Sequence, residues 1–199
     1  RDLSGVAKFK AFLQRHNGNK IVSGAEKHPE RFWKDSAVSG KYNFRFDANK
    51  FCRKVFAICD AAREIKTGKL FWIDADVQTI GKVPECFIDD LLPQDVSISY
   101  LARPGYHSEC GFVGYNLDRA ETWNFLSEFE AMYDEDRFFD QQEWHDSWLF
   151  DRVMEKIRPR TFRIPHTSHS QPFDNSTLSQ YMRHFKGSRK ELRIRKANR

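Results

Sequence analysis

The chain has 199 residues, of which 40% are hydrophobic and 15% aromatic, including 18 Phe. That composition can fill one sizeable core, and no apolar run approaches the roughly 20 residues that a membrane-spanning helix needs. The formal net charge of +5 does not by itself indicate nucleic-acid binding, because residues 183–199 carry +7 and residues 1–182 carry −2.

The first third of the chain predicts two helices separated by a loop. Apolar residues at helical spacing over residues 6–16 are followed by Asn17-Gly18-Asn19, which predicts a helix and its stop. Residues 21–41 are rich in Gly, Ser, Pro and charge, and we interpret them as a long loop of the kind that often lines a site. Residues 47–63 carry an apolar stripe that predicts a helix, with Asp47 placed as its cap.

The cysteines indicate the redox state of the cellular compartment. Cys52, Cys59, Cys86 and Cys110 lack Cys-x-x-Cys spacing, and the first two share one face of the predicted helix. We therefore expect buried free thiols in a reducing compartment rather than disulfides. No signal-peptide pattern opens the chain, so a cytoplasmic protein is expected.

A strand that ends in two carboxylates is the most informative feature. Residues 70–73 are apolar, and we interpret them as a buried strand of a sheet covered by helices. Asp74 and Asp76 follow directly. Open α/β sheets bind their ligands at the carboxyl ends of strands, where paired carboxylates are natural ligands for Mg²⁺ or Mn²⁺.

The chain contains a second Asp-x-Asp pattern, Asp134-Glu135-Asp136. It follows a helical pattern, and charge clusters in that position are usually exposed to solvent. We interpret this copy as an acidic helix end. About one copy is expected by chance in a chain with this much aspartate, so the bare pattern is a weak signal.

The rest of the chain alternates between strand and helix patterns, which is typical of an α/β fold. In chain order it predicts a short helix or turn over residues 87–92, strands over 96–101 and 109–117, helices over 119–132 and 143–156, a strand at 162–164, and loop to residue 199. Glycines inside the 109–117 strand indicate a bulge, or close approach by another backbone or a ligand.

A histidine near the end of the chain extends the candidate site. His184 is followed by Gly187 and Lys190. Such a loop offers an imidazole ligand, close backbone approach and positive charge for a diphosphate. His184 alone would be an ordinary surface histidine, so its assignment depends on Asp74 and Asp76.

Taken in order, these segments resemble the nucleotide-sugar glycosyltransferases of the GT-A fold, and most closely glycosyltransferase family eight. The matches lie within residues 44–190: the strand with Asp74-Ala75-Asp76, the glycine-bearing strand 109–117, His145-Asp146-Ser147-Trp148, and residues 184–190. The resemblance implies a single GT-A-like (Rossmann-like) α/β domain over residues 1–182, with a mixed, mainly parallel central sheet flanked by helices. Residues 183–199 would form a metal and diphosphate loop and a basic tail.

The resemblance also implies a metal and donor site. Asp74 would approach the ribose or the donor sugar. Asp74, Asp76 and His184 would form the binding site of a Mn²⁺ or Mg²⁺ ion. Gly187 and Lys190 would hold the diphosphate.

A further segment looks like the donor-contacting region of similar enzymes. It includes Arg45, Asp47 and Lys54, which precede the central strand. Helix capping and surface charge explain these residues equally well.

Asp146 is the candidate catalytic residue, and Gly111 is placed on the acceptor side. The family usually has Gln after the acceptor-side Asp, whereas Ser147 follows Asp146. An alternative match to Asp140 and Gln141 therefore stays open. Asp146 is equally well explained as a carboxylate favoured by a helix N-terminus.

The predicted activity is transfer of a sugar from a nucleoside-diphosphate sugar, UDP-sugar first, to an unknown acceptor. Similarity to family eight leans toward retention of configuration. The first strand, which normally holds uridine, is not visible before the helix at residues 6–16, so no named residue supports uracil specificity. Three rivals stay open: a nucleotidyltransferase, a nucleic-acid-binding module acting through the basic tail, and a transferase that modifies DNA bases.

Overall fold

The computed structural model describes residues 2–26 and 42–185. The described residues form two compact units, one within Arg1–Lys66 and Trp123–Arg158, the other within Thr67–Thr122 and Pro159–Arg199. The α/β class and the mixed sheet are confirmed. Over the described ranges, every helix is too short or too polar to cross a membrane. The domain boundary at residue 182 stays a prediction.

Secondary structure follows the predicted pattern over most of the chain. The helices are α1 (Ala7–Arg15), α2 (Ala48–Ile65), α3 (Glu85–Leu91), α4 (Ala120–Asp134) and α5 (Asp146–Ile157). The strands are β1 (Lys69–Ile73), β2 (Val77–Thr79), β3 (Ile98–Leu101), β4 (Glu109–Asn116), β5 (Thr161–Arg163) and β6 (Met182–His184). The predicted helices and strands are confirmed with shifted ends, whereas β2 and β6 were not predicted.

Aromatic side chains build the core of the first unit. The Phe12 ring of α1 lies 6.1 Å from the rings of Phe56 in α2 and Tyr133 in α4, measured between centroids. The Phe125 ring lies 5.1 Å from that of Phe150 in α5, and all five side chains are buried. Burying these rings removes large apolar areas from water, which stabilises the packing of the helices.

Helix α2 begins as the sequence predicts. The Asp47 side chain accepts a hydrogen bond from the backbone N–H three residues later, at 2.9 Å. All four cysteines are free. Cys52, Cys59 and Cys110 are buried as expected, whereas Cys86 is exposed, so the expectation of a buried thiol is wrong there. Burial raises the pKa of Cys52 to about 12, so this thiol is unreactive at neutral pH.

The second unit contains a four-stranded sheet in the order β1-β4-β3-β5. Strand β4 pairs antiparallel with β1 and with β3, whereas β3 and β5 pair in parallel. The expectation of a mainly parallel sheet is therefore wrong for the described strands. Residues 102–108 join β3 to β4, and this short connection suits antiparallel neighbours but cannot hold the helical crossover between parallel ones.

In the sheet formed by the described strands, β1 is at the edge. Its residues are half-buried, and Ile73 is 41% exposed. The expectation of a buried strand at residues 70–73 is wrong, because an apolar run alone does not distinguish an edge strand from a central one. All residues of β3 and of β4 are buried, and β4 is the strand that carries the glycines.

A second, two-stranded sheet pairs β2 with β6 in antiparallel orientation. Met182 of β6 is buried in an apolar core with Phe173 and Leu178. The prediction of loop after residue 165 is wrong here, because a three-residue strand is too short to show a period. Most of the basic tail and residues 27–41 of the predicted loop lie outside the described residues.

Candidate functional site

A tight turn after β1 places both carboxylates at the end of the strand. The Asp74 N–H donates to the Gly111 carbonyl at 3.0 Å, and the Asp74 carbonyl accepts from the Val77 N–H at 2.9 Å. These bonds fix the turn that holds Asp76. The indole N–H of Trp72 donates to Oδ1 of Asp74 at 2.7 Å and orients that carboxylate.

His184 reaches the same turn from β6. Pairing of His184 with Val77 brings the two strands together, and the Phe185 N–H donates to the Asp76 carbonyl at 2.9 Å. The imidazole is 2% exposed and packs edge-on against Phe173, with 5.2 Å between the ring centroids. His184 is therefore a buried histidine that needs polar partners, unlike a solvated surface histidine.

The three side chains predicted to bind a metal converge at this point. Nε2 of His184 lies 2.9 Å from Oδ1 of Asp76 and 4.0 Å from Oδ2 of Asp74. One ligand atom of each residue lies within 4.8 Å of the other two. Strand pairing thus joins residues that are 108 positions apart in the sequence.

This set of donor atoms suits a divalent cation. Carboxylate oxygens are preferred by Mg²⁺ and Mn²⁺, and an imidazole nitrogen adds a ligand that transition ions accept. Asp74 and Asp76 are 23% and 24% exposed, whereas His184 is almost completely buried. An ion held here would therefore be open to solvent, or to an anionic ligand, on the side of the carboxylates.

Gly111 leaves the space that the imidazole occupies. A Cβ atom on Gly111 would lie 2.5 Å from Cε1 of His184 and 2.9 Å from its Nδ1. The glycine in β4 therefore marks a close approach, here by a side chain. The acceptor-side role of Gly111 stays a prediction.

Glu109 is a third carboxylate at the site, and the sequence reasoning missed it. Its side chain is buried, and Oε1 accepts a hydrogen bond from the Gly111 N–H at 3.1 Å. The same oxygen lies 3.8 Å from Nδ1 of His184. An acidic residue inside an apolar, glycine-bearing strand was the available signal, because a buried carboxylate requires partners.

In the first unit, Asp146 and Lys54 form a buried ion pair. Nζ of Lys54 lies 2.6 Å from Oδ2 of Asp146. Burial opposes ionisation of Asp146, but the charge of Lys54 and its hydrogen bond outweigh burial, so the pKa of Asp146 is lowered. The structure thus joins the predicted catalytic carboxylate to one of the predicted donor-binding residues.

The other two predicted donor-binding residues have structural partners in the same unit. A guanidinium nitrogen of Arg45 lies 2.8 Å from a carboxylate oxygen of Glu143. Asp47 caps α2 and accepts a hydrogen bond from the Tyr42 hydroxyl at 2.7 Å. These contacts are those expected from helix capping and surface charge, and donor binding by Arg45 and Asp47 stays a prediction.

The alternative acceptor-side pair is in a different environment from Asp146. Asp140 is exposed at the end of a 3-10 helix, and the Gln141 carbonyl accepts a hydrogen bond from the Trp144 indole at 3.3 Å. Asp146 is buried, and its pKa is perturbed by a specific charged partner. This difference favours Asp146 over Asp140 as a functional carboxylate.

The second Asp-x-Asp copy lies at the end of α4, as the helix-end interpretation predicts, but Asp134 and Asp136 are only partly exposed and are held by basic side chains. Nζ of Lys8 lies 2.9 Å from Oδ2 of Asp134. Nε of Arg15 lies 3.2 Å from Oδ2 of Asp136, and Nε2 of His16 lies 2.7 Å from Oδ1 of Asp136. These carboxylates serve as ion-pair partners that tie α1 to α4.

Gly187 and Lys190, which are predicted to hold the diphosphate, lie outside the described residues. Comparison of the chain with protein-family models, with curated proteins and with solved structures gives no match. The resemblance to family eight therefore stays a prediction based on the order of the sequence segments.

Proposed function

We propose that this chain is a metal-dependent glycosyltransferase that moves a sugar from a nucleoside-diphosphate sugar to an acceptor hydroxyl. The observation that carries this proposal is the convergence of Asp74, Asp76 and His184 at the end of β1. The order of the sequence segments and the open, carboxylate-lined side of the site support it. The free cysteines support a cytoplasmic location.

The chemical problem in such a transfer is the departure of a nucleoside diphosphate from the anomeric carbon. A bound Mn²⁺ or Mg²⁺ ion would neutralise the negative charge that builds on the leaving oxygen. Asp76 and His184 would hold the ion, and Asp74, oriented by Trp72, would contact the ion or a sugar hydroxyl. Lys190 would add a positive charge next to the diphosphate.

Asp146 would act as an ionised hydrogen-bond acceptor. Its lowered pKa keeps the carboxylate charged at neutral pH, and a carboxylate with a low pKa is a weak base. Such a group suits binding of a hydroxyl better than removal of a proton. This property fits the retaining outcome that the resemblance implies.

A thermal-shift panel tests the activity class. The full chain is heated with Mn²⁺ and UDP-sugars, with other nucleotide sugars, or with nucleoside triphosphates, because a ligand that binds the native state raises the melting temperature. We expect a nucleotide sugar to give the largest shift and a chelator to abolish it. A shift only with triphosphates would instead support the nucleotidyltransferase, and no shift with any nucleotide would contradict the proposal.

Calorimetry with Mn²⁺ alone tests the ligand set. Loss of a direct ligand should weaken binding by about 100-fold or more, since even groups that only support a ligand are worth 10- to 100-fold. We expect this loss for His184→Ala and parent affinity for His169→Ala, which removes an exposed histidine of the same unit. Unchanged affinity in His184→Ala would remove His184 from the ligand set.

A DNA acceptor is the second candidate, favoured by the net +7 of residues 183–199. If the tail binds phosphates, the logarithm of DNA affinity falls linearly with the logarithm of salt concentration. We expect a chain ending at Phe185 to lose most of that slope. DNA binding with the same slope in both chains would exclude a role for the tail.

A further inference from the structure

We propose that Glu109 is a positioning residue that fixes the tautomer and orientation of His184 for metal binding. The inference rests on the proposed metal site and deepens it. Glu109 would not contact the ion. It would act through the imidazole, so that the lone pair of Nε2 is available to the ion.

The imidazole lies between two carboxylates, one at each ring nitrogen. Nε2 faces Oδ1 of Asp76 at 2.9 Å, and Nδ1 faces Oε1 of Glu109 at 3.8 Å. The second distance is longer than a hydrogen bond, so Glu109 acts here as a charge on the Nδ1 side of the ring. In the chain without an ion, Asp76 at 2.9 Å favours a proton on Nε2. A metal ion would take the place of that proton, and the negative charge of Glu109 would then stabilise the imidazole with its proton at Nδ1.

Metal binding requires that tautomer. A neutral imidazole has one N–H and one lone pair, so an ion at Nε2 requires the proton to be at Nδ1. Histidines that bind metals commonly direct this second N–H toward a carboxylate. Among the described residues, Glu109 is the carboxylate that the structure records on the Nδ1 side of His184.

Glu109 itself is held in place. Its Oε1 accepts the Gly111 N–H at 3.1 Å. A Cβ atom on Gly111 would lie 2.9 Å from Nδ1 of His184 and 3.0 Å from Oε1 of Glu109, so the glycine keeps open the space through which the two groups face each other. Glu109 is 5% exposed and His184 is 2% exposed, so there is little water to screen the interaction.

Calorimetry with Mn²⁺ on the full chain tests the inference. Glu109→Ala should weaken Mn²⁺ binding by about 10- to 100-fold, the usual effect of removing a group that supports a metal-binding histidine. Glu109→Gln keeps an oxygen acceptor without the charge, so its loss should be smaller but measurable. The control is Glu121→Gln, which changes the charge equally at a carboxylate bonded to Ser97 and Arg160, and parent affinity is expected.

Nitrogen NMR in the presence of Mg²⁺ measures the tautomer of His184, which a simple loss of stability would not change. We expect the Nδ1–H tautomer in the parent and a population shift toward the Nε2–H tautomer in both Glu109 variants. Should Glu109→Ala not fold, Glu109→Gln decides: Mn²⁺ affinity and nitrogen shifts identical to those of the parent overturn the inference. A parent chain that binds no Mn²⁺ overturns the metal site itself, and this inference with it.

Discussion

The carboxylates of the two units have different partners. In the first unit, Lys54 neutralises Asp146. Lys8 and Arg15 neutralise the Asp-x-Asp copy at the end of α4, which the His16 imidazole also contacts. In the second unit, the Asp-x-Asp copy at the end of β1 faces a buried imidazole, which is a metal ligand when it is neutral. The same sequence pattern thus forms ion pairs in the first unit, whereas in the second unit it has the geometry of a candidate metal site.

The difference shows that the partner, more than the motif, decides what a carboxylate pair does. A lysine or arginine ammonium or guanidinium stays charged at neutral pH and competes with any metal ion for the carboxylate oxygens. A neutral imidazole adds a donor atom instead. Substitutions that remove one partner at a time can separate the two uses.

The largest effect is expected at the buried ion pair of the first unit. Lys54→Met leaves Asp146 buried without its cation, which should lower the free energy of unfolding by about 3–5 kcal/mol. Urea unfolding at pH 7 measures this, with Lys10→Met, at an exposed position of α1, as the control. A variant as stable as the parent would contradict the structural importance of the pair.

The same pair should also make stability depend on pH. The pKa of Asp146 is lowered in the folded chain, so its contribution is present above the unfolded pKa of about 3.9 and is lost as the pH falls through the folded value. Acidification from pH 5 should therefore cost the parent more unfolding free energy than it costs Asp146→Asn. Parallel acid profiles of the two proteins would argue against this assignment.

The next effect is on activity and compares the two Asp-x-Asp copies directly. Asp76→Ala should lower metal-dependent hydrolysis or transfer of a nucleotide sugar by about 100-fold or more, because a metal ion supplies several kcal/mol of charge stabilisation. Asp136→Ala should keep nearly full activity. Rates are measured with and without chelator, and circular dichroism checks that both variants fold. Equal activity in Asp76→Ala and the parent would refute the metal assignment.

A smaller effect is expected at Gly111. Gly111→Ala forces the His184 ring to move, and overpacking of this kind costs about 1–3 kcal/mol of unfolding free energy. A Cβ atom on Gly81 would have no neighbour within 4 Å, so Gly81→Ala serves as the control with a change below about 0.5 kcal/mol. Urea unfolding of both variants tests this, and equal stability would show that the ring has room to move.

The smallest effect is expected at the Arg15–Asp136 pair. Both side chains are about one-third exposed, at 36% and 30%, so Arg15→Gln should cost only about 0.2–1 kcal/mol of unfolding free energy. High salt should reduce the difference between variant and parent, because it screens exposed charges. A larger, salt-independent loss would show that Arg15 contributes mainly through packing and its hydrogen bonds to the Tyr133 and Asp134 carbonyls.

Sequence reasoning succeeded where the signal is local. The apolar stripe and the Asp47 cap predicted α2, and the carboxylates after β1 were identified from the strand that precedes them. It failed where the signal is short or distant. The three-residue strand β6 has too few residues to show a period. Glu109 stands out as an acidic residue in an apolar strand, but the sequence does not show that it lies next to His184.

The sequence by itself determined the helices, the positions of the longer strands and the residue types that can bind a metal, because side-chain periodicity and capping act over a few residues. Only the tertiary structure decided that β1 is at the edge of the sheet that the described strands form, that β4 is buried, and that His184 meets Asp76 and Glu109. Those outcomes depend on which strands pair, and strand pairing brings together groups whose separation in the sequence carries no information about their distance in space.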